Sequence, residues 1–356
     1  MVLRWSLRIL NGVIIQIVRG LILSGGAGTR MRPFTHTIAK QLLPVGNQPI
    51  LHRAIVKMVE AGIEDIVIVV GDTADQVVGS VGDGSAFSAD ISYVRQKSPL
   101  GLAHCVKIAG AKLGHDAFVM YLGDNMFESG LSFLLTDFSM GHARDGRVAQ
   151  VAVKPVPNPS LFGVATVNGS NQLVDVVEKP EEPPSNLALV GTYLFTPVIH
   201  DAIDAISPST RGELEITDAI QTLVSTGHVV GVSSIDGWWY DTGNPHSFLE
   251  CNSATLLLDA TSEYSAPPGV TLVPPVVIDP TARLTDCSIG PFVTIGPDVT
   301  IDGSTVSDSV IFRGGTVRGS GCLRHSIVGQ RSTVVLSSDS NGSVVIGDDS
   351  IVEVNR

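Results

Sequence analysis

The chain has no excess of positive charge. Across 356 residues, 23 Lys and Arg stand against 35 Asp and Glu, a formal net charge of −12. A nucleic-acid binder usually presents a basic face, so we expect no nucleic-acid partner. The balance leaves room for small anionic ligands, which need only a local cluster of donors and cations. Cysteine is scarce: Cys105, Cys251, Cys287 and Cys322 form no C-x-x-C pair and no zinc-type spacing. Such a pattern fits free thiols in a reducing, cytoplasmic setting. A membrane-spanning run is also missing from the N-terminus. Residues 1–17 place Arg4 and Arg8 among apolar residues, like a signal peptide at first sight. Yet Arg8, Asn11, Gly12 and Gln16 interrupt the run, and no A-x-A-like site follows. The stretch is too short and too broken to cross a bilayer. We read 1–17 as an upstream extension with a true start near Val18, and expect no membrane partner.

What is present is a globular composition, 44% hydrophobic and 16% charged, long enough for one large domain and a smaller one. From residue 18 to about 125, strand and helix patterns alternate. Leu21-Ile22-Leu23 is an apolar run ending in glycines. A helix pattern opens at Pro49 and stops at Gly62. Buried strands follow at 66–70, 91–94 and 117–122, with a helix over 103–113. Such alternation implies an open, mostly parallel sheet with helices on both faces. The middle changes character. Residues 164–167 and 173–177 read as a hairpin turning at Asn168-Gly169, followed by a strand over 187–195 and a helix through Ile216, Ile220 and Leu223. Residues 261–275, rich in Ser, Thr and Pro, read as a linker. Beyond them Ile278, Leu284, Ile289, Ile295 and Ile301 recur at a period of about six. A hexapeptide period with an aliphatic at one corner is the mark of a left-handed parallel β-helix. The domains expected are thus an α/β domain over 18–260, the linker, and a β-helix over 276–356.

The chemistry begins at Gly25-Gly26-Ala27-Gly28-Thr29-Arg30. This loop follows a buried strand, so it lies at the C-terminal edge of a parallel sheet, where ligands bind. Glycines let the backbone approach an anion, and their N–H groups can form a phosphate nest. Two other identities are excluded. A Walker A loop needs Gly-Lys-Ser/Thr, which is absent. The dinucleotide fingerprint read from Gly26 and Gly28 needs Gly or Ala at 31, where Met31 stands. Further on, an apolar strand delivers Asp124 to the same edge, a good Mg²⁺ position, and Asp241 also follows an apolar run.

Six ordered segments resemble the sugar-1-phosphate nucleotidyltransferases. They are residues 21–43 (LILSGGAGTRMRPFTHTIAKQLL), 96–103 (QKSPLGLA), 121–125 (YLGDN), 177–180 (VEKP), 211–218 (RGELEITD) and 239–243 (WYDTG). The likeness covers about residues 18 to 356, and its nearest form carries a C-terminal β-helix. It implies a Rossmann-like α/β fold with a mixed, mostly parallel sheet. It also implies attack of a sugar 1-phosphate on the α-phosphorus of a nucleoside triphosphate, with dTTP and glucose 1-phosphate as partners, Mg²⁺ as cofactor and a homo-oligomer as the assembly. Arg30, Lys40 and Lys179 would be catalytic cations. Leu23, Gly25, Gly26, Gly28, Thr29, Arg30, Gln96, Pro99, Gly101 and Asp124 would bind the nucleotide. Gly163, Glu178, Lys179, Gly191, Tyr193 and Trp239 would take the sugar phosphate, and Asp124 with Asp241 would hold the metal. A Gln96 side-chain amide offers a donor and an acceptor to the N3–H and O4 edge of thymine or uracil alike. A methyl group is worth only about 1–3 kcal/mol in discrimination, so a dTTP preference with some UTP use is expected. Three other readings remain: a UTP-dependent hexose, N-acetylhexosamine or cyclitol 1-phosphate uridylyltransferase; acetyl transfer in the β-helix, with His325 as its best candidate; and a catalytically silent homologue, which need not keep Arg30, Lys40, Asp124, Lys179 and Asp241 together. His104 and Cys105 are assigned no role.

Overall fold

The computed structural model describes residues 7–10, 13–16, 18–259 and 266–355. The readings of 1–17 as an extension and 261–275 as a linker lie partly outside the described residues. Within the first, Leu7–Leu10 and Val13–Gln16 pair as antiparallel strands. The chain divides into two compact units, Met1–Gly26 with Leu51–Trp239, and Ala27–Ile50 with Tyr240–Arg356.

The first unit is built on a nine-stranded sheet. Its strands are β1 (Val18–Ser24), β2 (Asp65–Val70), β3 (Asp90–Arg95), β4 (Ala117–Leu122), β5 (Ala149–Pro155), β6 (Gly163–Val167), β7 (Leu173–Glu178), β8 (Leu187–Phe195) and β9 (Val230–Ser234). Strands β4, β1, β2 and β3 lie side by side in that order, all parallel. Residues 66–70 and 117–121 are buried throughout, as the apolar runs of a doubly covered parallel sheet require. Parallel neighbours need crossovers, and these contain α1 (Ile50–Glu60), α2 (Ala74–Val81) and α3 (Leu102–Leu113). The carboxyl ends of all four strands therefore share one edge.

Strand β8 runs antiparallel to β4 and breaks the parallel order. One edge of β8 carries β5 along its length. The other edge is shared: residues 192–195 pair with β4, whereas Ala188 pairs with Val164 of β6. Between the two partners Gly191 adopts φ +74, a conformation open to glycine. A Cβ there would meet the Leu122 side chain at 2.7 Å. The sheet thus forks where β4 ends, and the β6–β7 hairpin stands beyond the fork. That hairpin has the expected strands but a longer turn than Asn168-Gly169 suggests. Asn168 Oδ1 accepts hydrogen bonds from the N–H groups of Ser170 and Gln172, and Asn171 takes φ +54. Between β4 and β5 lies α4 (Ser132–Asp145), and between β8 and β9 lie α5 (Val198–Ala205) and α6 (Ile216–Ser225).

The second unit contains α7 (Pro245–Asp259) and three five-stranded parallel sheets, which wind as the left-handed β-helix expected. It opens at Thr271–Leu272, inside the stretch read as a linker, because that strand pairs with Ser288–Ile289. Ile278, Leu284, Ile289, Ile295, Ile301, Val306, Ile311, Val317, Leu323, Val328 and Val334 are buried in a single core. Their spacing mixes five and six, with two steps of five in a row after Ile301, which is why the period blurs there. Coil corners fall at Asp286, Asp298, Asp308 and Asp349, which hold φ between 44 and 59, a region that aspartate tolerates better than most side chains. Residues 27–50 form three 3₁₀ turns and a hairpin. The helix expected to open at Pro49 opens at Ile50 instead. Gln48–Pro49 pairs back on Pro44–Val45 across Gly46 and Asn47, both at positive φ, the pattern of a two-residue turn. No helix among the described residues is long and apolar enough to cross a membrane.

Candidate active site

In the first unit the parallel edge carries Gln96, Gly71, Gly25 and Gly123-Asp124, each just past the end of its strand. The order along the edge is β3, β2, β1, β4. At about 4.8 Å per strand, three spacings separate Gln96 from Asp124, roughly the reach from a base edge to its phosphates. The backbone is drawn tight between neighbours. Gly123 N–H donates to Leu23 O at 2.9 Å, and Gln96 N–H donates to Val70 O at 2.8 Å. A Cβ on Gly71 would meet Gly25 O at 2.6 Å, and one on Gly25 would lie 3.6 Å from Gln96 Oε1. Gly25 and Gly71 therefore keep this channel open by lacking side chains. Gly101, at φ +96, turns against the Leu214 backbone, and its carbonyl accepts from Gln96 Nε2 at 3.2 Å. Pro99 and Gly26 are exposed.

A second group forms at the fork. Gly163 pairs in register with Glu178, and a Cβ on Gly163 would meet Thr217 Cγ2 at 2.7 Å and Glu178 Oε2 at 3.3 Å. Lys179 takes φ +42 and donates its N–H to Phe162 O at 3.0 Å. That turn lays its ammonium 3.4 Å from Glu178 Oε1. The same oxygen accepts from Arg211 Nη2 at 3.2 Å, and Arg211 also grips the buried Glu215 at 2.8 Å. Phe162 meets Trp239 edge-on at 5.1 Å. Trp239 Nε1 donates to Asn125 Oδ1 at 2.8 Å, and Asn125 Nδ2 donates to Asp124 Oδ1 at 3.1 Å. Contacts thus run continuously from Lys179 through Phe162, Trp239 and Asn125 to Asp124. Tyr193 stacks on Phe195 and is 3% exposed, so its ring belongs to the core. Burial pushes its phenol up, with the Glu178 carboxylate adding to the shift, and the oxygen accepts from Gly191 N–H.

In the second unit, Gly28 holds φ +60 and its carbonyl accepts from Thr35 Oγ1 at 2.8 Å. A Cβ there would press on Thr35 and, at 3.0 Å, on Lys40 Cβ. Lys40 is 5% exposed and its ammonium lies 3.5 Å from Asp241 Oδ1. Arg30, 71% exposed, reaches Asp241 Oδ2 at 3.6 Å. A Cβ on Gly243 would meet Arg30 Nη2 at 2.8 Å, so this glycine makes the space. Thr29 is exposed beside Arg30. The loop leans on the β-helix and α7. Phe34, fully buried, meets Phe312 edge-on at 5.6 Å, and Phe312 meets Phe248 of α7 at 6.3 Å. Asn47 Nδ2 donates to Ile295 O at 2.7 Å, and Thr37 Oγ1 donates to Asp348 Oδ2 at 2.8 Å. Asn252 Oδ1 accepts from both Gly46 N–H and Thr294 Oγ1. His325 is exposed at a coil corner, at φ +46.

The expected residues therefore assemble as three groups. Gln96, Gly101, Gly25 and Leu23 lie along the sheet edge. Asp124 joins Gly163, Glu178, Lys179, Gly191, Tyr193 and Trp239 at the fork. Gly28, Arg30, Lys40 and Asp241 come together in the second unit. Sequence reasoning passed over Gly71, which ends a buried strand in glycine just as β1 does, and over Asn125, Arg211, Glu215 and Gly243, all inside motifs it quoted. No three His, Cys, Asp or Glu side chains among the described residues form a ready-made metal cage. Mg²⁺ does not need such a cage, because it takes one or two carboxylates and completes its octahedron with phosphate and water.

Residues 19–257 match the family described as Nucleotidyl transferase, and residues 272–355 match the one described as GMPPB C-terminal domain. The chain is 40% identical to the glucose-1-phosphate thymidylyltransferase of Streptomyces griseus, across 95% of this chain and 100% of that one. It is 35% identical to the UTP–glucose-1-phosphate uridylyltransferase AglF of Haloferax volcanii, across 64% of this chain and 92% of that one. A solved UDP-glucose pyrophosphorylase complexed with UDP-glucose superposes with a TM-score of 0.60 at 27% identity, covering 68% of this chain and 100% of that one.

Proposed function

We propose that this chain, which belongs to the nucleotidyl transferase family, moves the thymidylyl group of dTTP onto glucose 1-phosphate and releases pyrophosphate. The observation that carries the reading is the order of groups in the first unit. An amide suited to a pyrimidine edge, a glycine-lined backbone, a carboxylate and a cation-bearing sugar pocket follow one another from β3 to the fork. That is the order of base, phosphates and sugar phosphate in the product. The 40% identity to a thymidylyltransferase across nearly the whole chain supports the choice of dTTP and glucose 1-phosphate.

The chemistry needs no general base, because a sugar phosphate is already largely dianionic near neutral pH. Its oxygen bonds to the α-phosphorus while the bond to the β-phosphate bridge breaks in line, and pyrophosphate carries the electron pair away. Catalysis is then positioning and charge stabilisation. Gly25 and Gly26 offer N–H donors to the phosphates. Arg30 and Lys40 neutralise the triphosphate and the charge growing on the leaving group. Lys179 holds the sugar phosphate, and Glu178 accepts from sugar hydroxyls with its geometry set by Arg211 and Thr217. Gly163 and Gly191 admit the hexose ring, and Trp239 walls it. Asp124 and Asp241 would hold Mg²⁺, which when bound supplies further positive charge to the phosphates.

A grid of nucleoside triphosphates against sugar 1-phosphates, read by pyrophosphate release with Mg²⁺, tests this. The highest kcat/KM is expected for dTTP with glucose 1-phosphate, with weaker UTP use. Absence of release with every pair sinks the enzyme reading. A UTP optimum would favour the uridylyltransferase reading, which the likeness to AglF supports.

A further inference from the structure

Gln96 has a side-chain amide whose two ends are not equivalent in this fold. Its backbone is pinned to the end of β2 through Val70 O, and the residue is 9% exposed. Its Nε2 lies 3.2 Å from Gly101 O and 3.0 Å from His104 Nδ1. A carbonyl can only accept, so the amide end facing Gly101 must be the nitrogen. The Gly101 carbonyl cannot swing away. Its turn is clamped by Leu214, which donates its N–H to Leu100 O at 2.8 Å and accepts from Ala103 N–H at 3.0 Å. Both amide hydrogens are then used internally. Among the described residues no donor reaches Oε1, which faces Gly25 across the glycine channel. The free end of Gln96 is therefore an acceptor alone, not the donor–acceptor pair that the residue type allows.

We propose that His104 is a specificity-determining positioning residue, whose Nδ1 lone pair locks the Gln96 amide so that Oε1 meets a base carrying N3–H and rejects cytosine. The inference rests on the reading of Gln96 as the base contact. Nδ1 accepts only while it carries no proton, so the ring is neutral with its hydrogen on Nε2. Burial, helped by the Lys107 ammonium, holds the His104 pKa below its ordinary value and favours that form. Cys105, the next residue, also lies within hydrogen-bond reach of the Gln96 side chain. Burial pushes its thiol up to about 12, so it stays a neutral thiol, a weaker partner for the amide than the His104 nitrogen. Thymine and uracil present N3–H to Oε1 and form a hydrogen bond. Cytosine presents a bare N3 lone pair to the same oxygen and is repelled. An amide free to rotate could turn Nε2 outward and accept cytosine, so the lock converts a permissive side chain into a selective one. O4 of the base must find its donor elsewhere, since Gln96 has none left.

The test uses the full chain with His104→Leu, His104→Asn and Gln96→Leu. Calorimetric Kd values for dTTP and dCTP are read beside kcat and KM for the transfer to glucose 1-phosphate. A net hydrogen bond of ordinary strength corresponds to a change of about five- to tenfold. His104→Leu is expected to weaken dTTP by about that factor, to narrow the dTTP-to-dCTP ratio at least as much, and to leave kcat within about twofold, because the change lies far from the reacting phosphorus. His104→Asn, whose Oδ1 can accept from Nε2, is expected to restore the wild-type ratio. The proposal is overturned if His104→Leu keeps the ratio while Gln96→Leu weakens dTTP, or if Leu and Asn at 104 behave alike. If Gln96→Leu leaves the dTTP Kd unchanged, the base-reading role itself falls, and the lock with it.

Discussion

The sheet of the first unit and the β-helix of the second use apolar residues to opposite ends. In the sheet, buried strands such as 66–70 and 117–121 stop abruptly at Gly71 and Gly123-Asp124, and each stop leaves one polar or glycine residue on a common edge. In the β-helix the aliphatics never stop. They recur from Ile278 to Val334 and close into a core, with their corners given to Asp, Ser and Gly. The first pattern builds a site out of interruptions. The second builds a support out of repetition, and what it supports is the loop over 27–50, through Phe34, Thr37 and Asn47.

If this division is right, substitutions in the two regions separate stability from turnover. Phe312→Ala removes the ring that Phe34 and Phe248 meet and is expected to cost about 3–5 kcal/mol of stability. Equilibrium denaturation with urea reads it, and a loss under about 1 kcal/mol would mean the aromatic contact is not a packed core. Arg30→Ala is expected to lower kcat by on the order of 10²–10³, equivalent to about 2.7–4 kcal/mol, with the melting temperature unchanged because the side chain is 71% exposed. A turnover loss of only a few fold would take Arg30 out of the transition state. Asn47→Ala removes the donor to the carbonyl of buried Ile295 and should cost about 1–3 kcal/mol, with a smaller loss of kcat as the loop loosens. The smallest effect belongs to Thr37→Val. Its partner Asp348 is reached by an exposed hydrogen bond, so the change should stay below about 1 kcal/mol. An effect as large as that of Phe312→Ala would invert the comparison.

The two regions also differed in how far sequence alone could read them. The β-helix showed itself through period, because each coil repeats its neighbour. The sheet edge showed itself through composition: an apolar run ending in Gly25 or Asp124 points to the ligand edge without any partner being known. Other features have no local sign. Helix α4 and strand β5 went unnoticed because their apolar residues mark no clean stripe or stop. The hairpin at 44–49 was absorbed into the helix start because Pro49 fits both. The contacts that hold the 27–50 loop join residues more than 200 positions apart, such as Asn47 with Ile295 and Thr37 with Asp348. Nothing in either segment announces the other. His104 illustrates a further limit. A lone histidine at a helix start carries no message until its Nδ1 is seen 3.0 Å from Gln96 Nε2.

The central claim is that a sugar-phosphate oxygen attacks the α-phosphorus of dTTP. Glucose 1-phosphate labelled with ¹⁸O in its phosphate, reacted with unlabelled dTTP and followed by ³¹P NMR, tests that bond directly. The account predicts that all of the label stays on the sugar-linked phosphorus of dTDP-glucose, one labelled oxygen bridging the two phosphorus atoms, with unlabelled pyrophosphate released. Label in the released pyrophosphate would contradict it.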